Sequence, residues 1–213
     1  MQMPPATATP TAGPDAGRNP RTGDGPLSAL PDETLLVLFA KGDREAAHLL
    51  TGRLTPVAFR VALRMLGGDR AEAEDVAQEA MLRLWRQAPE WRQDGARVST
   101  WLYRVATNLA TDRLRRRRGQ PLDGVDAPDE MQVTAVARLI ETDRAAALDA
   151  ALAALPERQR QAVVLRHIEG LANPEIAEVM GIGVEAVESL TARGKRMLAS
   201  LLAGRREELG YAE

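Results

Sequence analysis

The stretch NPEIAEVMGIGVEAVESLTAR, residues 173–193, predicts two helices joined by a tight turn. Asn173 is expected to cap the first helix and Pro174 to take its first position, where a missing N–H costs nothing. Gly181 is expected to end that helix in a left-handed conformation, and a second helix restarts at Val184. The pattern is typical of a helix-turn-helix, whose second helix can lie in the major groove of DNA. An ordinary helical hairpin is the alternative.

The composition favours an all-α fold. Hydrophobic residues make up 45% of the 213 residues but aromatic residues only 3%, so the cores must consist of Leu, Val, Ala, Ile and Met. Residues of these types favour helix, and no run of alternating β-branched residues predicts a strand. We therefore predict two small helical domains joined by a flexible linker.

The distribution of charge supports a division into two domains. Residues 29–119 carry a net charge of +4, residues 120–146 carry −4, and residues 147–213 carry −2. A basic first half, an acidic bridge and a nearly neutral second half suggest two domains with different roles. The predicted parts are a disordered N-terminal extension (1–28), a first domain (29–118), a linker (119–146), a second domain (147–204) and a polar tail (205–213).

Several functional classes lack support in the sequence. The chain has no cysteine, no HExxH motif, no Walker-type loop and no serine elbow, and its two histidines are far apart. We therefore expect no enzyme activity, no metal, no cofactor and no small-molecule substrate. No stretch approaches the roughly 20 apolar residues of a membrane span, and the N-terminal residues do not form a secretory signal. We expect a cytoplasmic protein that is not inserted in a membrane.

Local patterns also predict where helices begin and break. Asp32, Asp69 and Ser99 each stand where a side chain can cap a helix. Pro56 is expected to kink or restart the helix that contains it. The helical pattern resumes at about Glu141 after the linker.

Aromatic and basic residues are concentrated in one region of the first domain. Four of the seven aromatic residues, Trp85, Trp91, Trp101 and Tyr103, lie within 19 residues of each other, interleaved with arginines. Aromatic rings suit the stacking of unpaired bases, and guanidinium groups suit phosphates. The run Arg115–Arg118 exceeds what the helix dipole needs at a C-terminus, so we expect phosphate contact there. The alternative is that the tryptophans fill the core, which we expect for Trp85 or Trp101.

Three segments together resemble a bacterial extracytoplasmic-function sigma factor of the sigma-70 family. They are AEDVAQEAMLRLWR (73–86), STWLYRVATNLATDRLRRRR (99–118) and LPERQRQAVVLRHIEGLANPEIAEVMGIGVEAVESL (155–190), and the resemblance covers about residues 30–203. It implies a sigma-2 domain followed by a sigma-4 domain. It also implies a function: binding core RNA polymerase, melting the −10 promoter element and recognising the −35 element as duplex.

The resemblance assigns roles to individual residues. The surface that docks on the β′ clamp of core polymerase would comprise Asp75, Gln78, Glu79 and Arg83. The loop 93–98 would hold a flipped base. The residues along the −10 element would be Trp101, Tyr103, Arg104, Asn108, Asp112, Arg115 and Arg116. The residues at the −35 element would be Glu185, Glu188, Ser189, Arg193, Lys195 and Arg196.

The resemblance further implies partners. The flank of the helix-turn-helix would touch the β flap of polymerase, the linker would thread toward the active-site channel, and an anti-sigma factor would mask both polymerase-binding surfaces. The sequence departs from the family pattern at Glu185 and Glu188, where members commonly carry basic residues, although a glutamate can accept a hydrogen bond from cytosine N4. It also departs at Gly194, which replaces an alanine at about 1 kcal/mol against helix propensity.

Two other functions compete with a sigma factor. One is a stand-alone helix-turn-helix repressor or activator, whose first domain would sense a signal or dimerise. A dimerising domain should show a sustained apolar heptad seam, which this sequence lacks. The other is a sigma-like decoy that only binds an anti-sigma factor. A decoy needs no DNA-reading residues, so Asn108, Arg115–Arg118 and the aromatic cluster count against it.

Overall fold

The computed structural model describes residues 26–92, 95, 97–119 and 136–203. Within these ranges the chain forms α-helices, short 3-10 turns and one π-helical turn, and no strand, which confirms the all-α prediction. The helices are α1 (Asp32–Ala40), α2 (Arg44–Met65), α3 (Arg70–Gln87), α4 (Val98–Gly119), α5 (Val136–Ala154), α6 (Glu157–Val163), α7 (Asn173–Met180) and α8 (Val184–Ala203). The predictions for residues 1–25, 120–135 and 204–213 lie outside the described residues. None of the helices in the described ranges is long and apolar enough to cross a membrane.

Helix α2 is the centre of the N-terminal module, by which we mean residues 26–119. It packs against α1, α3 and α4 and runs without interruption through Pro56, so the predicted restart of the helix there is wrong. Its buried face includes Leu50 and Leu54 before the proline and Ala58 and Val61 after it. Because both halves bury the same face, tertiary packing stabilises one continuous helix despite the hydrogen bond that proline cannot donate.

Two of the predicted N-caps in this module have different outcomes. Asp69 caps α3 as predicted, since its carboxylate accepts a 3.0 Å hydrogen bond from the backbone N–H of Glu72. Asp32 does not cap α1, because it is already the first residue of that helix. Its carboxylate instead accepts a 2.8 Å hydrogen bond from Arg53 on α2. A tertiary partner has replaced the local role that the sequence predicted.

The start of α4 also depends on a distant residue. Ser99 is not its cap, because the helix begins one residue earlier, at Val98. The backbone N–H of Val98 donates a 3.0 Å hydrogen bond to the carboxylate of Glu33, near the start of α1. This contact ties the beginning of α4 to α1.

Helix α5 begins earlier than the sequence pattern indicated. It starts at Val136, whereas we expected helix from about Glu141 and a linker up to residue 146. Its later residues Ala147, Ala151 and Leu152 are buried. The last part of the predicted linker is therefore helical.

The helix-turn-helix consists of α7 and α8. Gly181 ends α7 in the left-handed region at φ 64° and ψ 40°, as predicted. Asn173 is the first residue of α7 and not its cap. The N–H of the preceding residue, Ala172, donates a 2.8 Å hydrogen bond to the carboxylate of Glu175, which completes the first turn. The side chain of Asn173 donates instead to Glu188 on α8 at 3.4 Å.

The packing of α8 on α6 explains why a glycine stands at position 194. Gly194 is buried, and a Cβ built on it would lie 2.6 Å from Cγ2 of Val163 and 3.2 Å from the carbonyl oxygen of Gln159. A side chain at this position would therefore force Val163 or the helix backbone to shift. The departure from the family pattern at Gly194 therefore permits a close helix crossing.

One hydrophobic core extends across both parts of the chain. We define the C-terminal module as residues 136–203. Four of its buried residues belong to the same cluster as the buried residues of α1–α4: Leu152, Leu155, Val163 and Val164. A second, smaller cluster lies within the helix-turn-helix region, and Tyr103 of α4 packs against it. The two modules are thus packed on each other in this structure.

Candidate nucleic-acid and protein interfaces

A row of polar side chains follows one face of α4 and its N-terminal approach. Their spacing of seven, four, three and four residues brings each back to nearly the same side of the helix. The members are Arg97, Arg104, Asn108, Thr111 and Arg115. We call this set the α4 row. It contains three of the seven residues that the resemblance assigns to the −10 element, and it supplies three positive charges along one line.

The aromatic residues pack mainly against one another and the core. Trp85 contacts Phe39 with a distance of 4.4 Å between ring centroids. Trp91 and Trp101 form an edge-to-face pair at 6.3 Å and 84°. All three tryptophans are partly buried against the hydrophobic core, which confirms that at least one of them serves packing. Residues 93, 94 and 96 of the predicted base-holding loop lie outside the described residues.

Tyr103 is half-buried between α4 and the C-terminal module. Its hydroxyl donates a 3.1 Å hydrogen bond to Oε2 of Glu169. Burial, and then the negative charge of Glu169, raises the pKa of the Tyr103 phenol above its usual range. The hydroxyl therefore stays protonated, and it is a hydrogen-bond donor in this arrangement.

The arginines at the end of α4 do not all face outward. Arg117 binds Asp69 at 2.6 Å, and Arg113 forms an ion pair with Glu72. These interactions raise the pKa of both guanidinium groups and join α4 to the start of α3. In this structure Arg117 is therefore engaged by acidic side chains at the start of α3, and phosphate contact by the run Arg115–Arg118 stays a prediction. The side chain of Arg118 lies outside the described part of the chain.

The predicted polymerase-docking residues line one groove between α3 and α4. Its volume is about 410 Å³. The lining comprises Asp75, Gln78, Glu79, Leu82 and Arg83 from α3 and Leu109, Asp112, Arg113 and Arg116 from α4. A 2.8 Å hydrogen bond from Arg83 lowers the pKa of the Glu79 carboxyl, which keeps it ionised. We call this feature the α3–α4 groove. It brings together the whole polymerase set and two residues, Asp112 and Arg116, that the resemblance assigned to the −10 element.

Sequence reasoning did not single out Leu82. It is 48% exposed, the largest exposed fraction among the large hydrophobic side chains of the described residues. It lies in the α3–α4 groove among charged groups. The sequence could have indicated Leu82 as an interface residue. It lies three positions after Glu79 and four after Gln78, so it is an apolar residue on an otherwise polar face of the helix.

The predicted −35 residues lie on the second helix of the helix-turn-helix. Glu185, Glu188, Arg193, Lys195 and Arg196 are exposed on α8, and Ser189 is partly exposed. Arg193 donates a 2.7 Å hydrogen bond to the hydroxyl of Ser189 one turn earlier. Burial, and then the charge of Lys195, lowers the pKa of nearby His167, so that imidazole is neutral at pH 7. The exposed face of α8 thus carries both signs of charge.

The described residues contain no cluster of three or more His, Asp or Glu side chains that could hold a metal ion. The two histidines are exposed, His48 on helix α2 and His167 on the π-helical turn at Val164–Ile168. The geometry of these ranges offers surfaces on which macromolecules could bind.

Two family profiles match the chain. The profile of Sigma-70 region 2 matches residues 50–120, and the profile of Sigma-70, region 4 matches residues 145–198. Together these matches cover more than half of the chain. The first contains the α4 row and the α3–α4 groove, and the second contains the helix-turn-helix.

Curated relatives align over nearly the whole chain. The ECF RNA polymerase sigma factor SigM of Mycobacterium tuberculosis is 35% identical over 189 residues, which cover 89% of this chain and 93% of SigM. The ECF RNA polymerase sigma factor SigW of Bacillus subtilis is 33% identical over 174 residues, which cover 76% of this chain and 91% of SigW.

In two solved structures, the chain that superposes on this one is in complex with a second protein. CnrH, solved in complex with the cytosolic domain of CnrY, superposes with a TM-score of 0.62 at 28% identity and covers 81% of this chain and 97% of its own. The sigma factor RpoE, solved with the anti-sigma factor NepR from Bartonella quintana, has a TM-score of 0.56 at 18% identity, covering 74% of this chain and 96% of its own. The second likeness shows the fold alone.

Proposed function

This chain belongs to the extracytoplasmic-function sigma factors of the sigma-70 family, and from that premise we propose that it binds core RNA polymerase and directs promoter-specific transcription initiation. Both profile matches and the near full-length alignment to SigM support this function. Proteins of this family are transcription initiation factors and not enzymes. We place its action in the cytoplasm.

One observation carries the assignment of surfaces. Helix α4 lines the α3–α4 groove on one side and bears the α4 row on another. A protein that docks on polymerase and opens DNA at the same point needs both surfaces on one rigid element, so that DNA is held in a fixed position relative to the enzyme. The groove supplies a partly apolar surface with fixed charges, and the row supplies guanidinium groups for phosphates.

We propose that the two domains bind different parts of the polymerase and of the promoter. Residues 29–118 form the sigma-2 domain, whose α3–α4 groove docks on the β′ clamp and whose α4 row meets the −10 element. Residues 147–204 form the sigma-4 domain, whose helix α8 meets the −35 element as duplex and whose flank contacts the β flap. Residues 119–146 connect them, although their last part is helical.

An anti-sigma factor is proposed as the regulator of this chain. CnrH was solved with the cytosolic domain of a second protein, CnrY, and RpoE was solved with an anti-sigma factor, NepR. The likeness to CnrH covers 97% of CnrH and 81% of this chain, and we expect a protein partner of this kind for this chain.

Neither competing function explains the α3–α4 groove as well. A stand-alone repressor has no need of a charged groove that matches the core-binding set, and a decoy has no need of the arginines in the α4 row.

In vitro run-off transcription tests the proposal: the chain with core polymerase should start transcripts at a defined promoter, whereas the chain alone should bind that promoter poorly. Tight duplex binding without polymerase, together with no transcripts in its presence, would show that the chain is a stand-alone regulator.

A further inference from the structure

Helix α4 begins with a hydrogen bond to a side chain of another helix. The backbone N–H of Val98, a residue that is 0% exposed, donates to Oε1 of Glu33 on α1 at 3.0 Å. The first N–H groups of an α-helix have no partner within the helix, and the helix dipole favours a carboxylate beside them. Glu33 therefore serves α4 as a capping side chain does, although it lies 65 residues earlier in the chain.

The sequence offers a second place for this helix to begin. Ser99 is of a residue type that commonly caps helices, and a cap at Ser99 would start the helix two residues later than observed. In the structure the helix starts at Val98, and the carbonyl of Arg97 accepts a 3.0 Å hydrogen bond from the N–H of Trp101. The contact with Glu33 is thus what favours the observed start over the local one.

Helix α1 holds Glu33 in a fixed place. Leu35 and Leu36 anchor α1 in the core, since both are 0% exposed. Arg53 on α2 binds the carboxylate of Asp32 at 2.8 Å and also donates to two backbone carbonyls just before α1. Because Glu33 follows Asp32 directly, a well-anchored helix presents its carboxylate to α4.

The same helix contacts both elements that flank the segment before α4. It packs against the 3-10 turn Ala88–Glu90 as well as against α4. Trp91 follows that turn, and its ring meets the ring of Trp101, on the first turn of α4, edge to face at 6.3 Å. The segment 92–97 therefore connects two elements that are both positioned by α1.

We propose that Glu33 is a positioning residue for recognition of the −10 element. By accepting the N–H of Val98 it selects the start of α4, and this start fixes where Trp101 stands relative to the unpaired DNA strand. Glu33 acts through Val98 and not by touching DNA, because a carboxylate repels phosphate. The inference rests on the proposed role of α4 at the −10 element.

The start of α4 matters because the geometry of a captured base is demanding. Without Glu33, a start governed by Ser99 would leave the first turn unwound up to that residue and loosen the pair of Trp91 and Trp101. A flipped base is held by stacking and by hydrogen bonds to its edge, and both depend on the exact place of the protein groups. A misplacement of about 1 Å in such a site can lower a rate by about a hundredfold.

Hydrogen exchange measures the start of α4 without polymerase or DNA. In full-length Glu33→Ala, the amide of Val98 should exchange about tenfold or more faster than in the parent chain, because its acceptor is gone. Glu33→Gln keeps an oxygen acceptor and should restore most of the protection. Ser99→Ala should leave the rate unchanged, because Ser99 is not the cap. Equal exchange of Val98 in Glu33→Ala and in the parent overturns the proposal.

Promoter discrimination tests the consequence for function. Parent and variant chains are each bound to core polymerase, and run-off transcription is compared on a promoter and on a template that differs by one base pair within the −10 element. The ratio of the two transcripts should fall about fivefold or more in Glu33→Ala and stay near the parent value in Glu33→Gln. A general loss of stability would lower both transcripts together and leave the ratio unchanged.

A matched control removes one charge from another helix. Glu45 is exposed on the first turn of α2, so Glu45→Ala should keep both the Val98 exchange rate and the transcript ratio of the parent. A ratio in Glu33→Ala equal to that of the parent and of Glu45→Ala contradicts the proposal.

The two proposals fail in different ways. If the parent chain with core polymerase yields no transcripts, the proposed function is wrong, and the positioning role fails with it. If the parent transcribes and discriminates between the templates but Glu33→Ala discriminates equally well, only the positioning role is wrong.

Discussion

Arg60 and Glu169 form a bidentate ion pair, with hydrogen bonds of 2.7 and 2.6 Å, although they are 109 residues apart in the chain. Arg60 lies on α2, and Glu169 follows the π-helical turn at Val164–Ile168 in the C-terminal module. Glu169 also accepts a hydrogen bond from Tyr103, so one buried carboxylate joins α2, α4 and the C-terminal module. Because the two parallel bonds fix both side chains, this pair sets the relative position of the modules more firmly than a single exposed contact could.

Replacing Gly194 by alanine should destabilise the protein even though alanine favours helix. The new Cβ would lie 2.6 Å from Cγ2 of Val163, and overpacking of this kind costs about 1–3 kcal/mol, against about 1 kcal/mol gained in helix propensity. We expect a net loss of about 0–2 kcal/mol in the free energy of unfolding, measured by urea denaturation. Adding Val163→Ala in the same chain should restore part of this loss. A Gly194→Ala variant that is more stable than the parent would show that the crossing is looser than described.

Reversing two charges in the α3–α4 groove should abolish binding to core polymerase. Asp75 and Glu79 are on the exposed face of α3, so Asp75→Lys/Glu79→Lys should leave the fold intact by circular dichroism. Binding is measured by pull-down with core polymerase. The control Glu45→Lys/Glu90→Lys makes the same change in charge at exposed positions outside the groove. Unchanged binding of the groove variant would refute the interface.

Truncation of Leu82 should weaken binding to core polymerase and leave the stability of the fold almost unchanged. Because its side chain is 48% exposed, Leu82→Ala should change the free energy of unfolding by no more than about 0.5 kcal/mol. If Leu82 inserts into core polymerase, the same change should weaken core binding about tenfold or more, as expected for an apolar anchor. Fluorescence titration of labelled chain with core polymerase measures this affinity. An affinity equal to that of the parent would leave Leu82 as an ordinary exposed residue.

Asp69 should give the protein a stability that is lost in acid. Burial acts to raise the pKa of its carboxyl, but hydrogen bonds from the N–H of Glu72 and from Arg117 prevail and lower it. A lowered pKa in the folded state means that the stabilisation is present above the unfolded pKa of about 4 and is lost as pH falls through the folded pKa. Asp69→Asn should retain the cap but lose this pH dependence, whereas Asp69→Ala should also lose about 1 kcal/mol at pH 7. Denaturant titrations of the three chains from pH 7 to pH 2 measure both effects.

Much of the local structure could be predicted from the sequence. The cap at Asp69, the left-handed end of α7 at Gly181 and the apolar periodicity of each helix depend on residues within one or two turns, so the pattern alone indicates them. The predicted interface residues of α3 also lie on one face for the same reason. Boundaries that depend on distant groups could not be predicted: α4 begins where Glu33 accepts its first N–H, and α2 continues through Pro56 because both halves bury one face.

The sequence by itself determined an all-helical chain with a helix-turn-helix and the residues that resemble a sigma factor, because helix period, capping and motif spacing are properties of neighbouring residues. Only the tertiary structure decided how those surfaces are combined. It placed Asp112 and Arg116 in the α3–α4 groove and Arg104 and Arg115 against the C-terminal module. It also showed that Gly194, which disfavours helix formation locally, allows α8 to pack closely on α6. These outcomes depend on which helices meet and how closely, and residues far apart in sequence set that geometry.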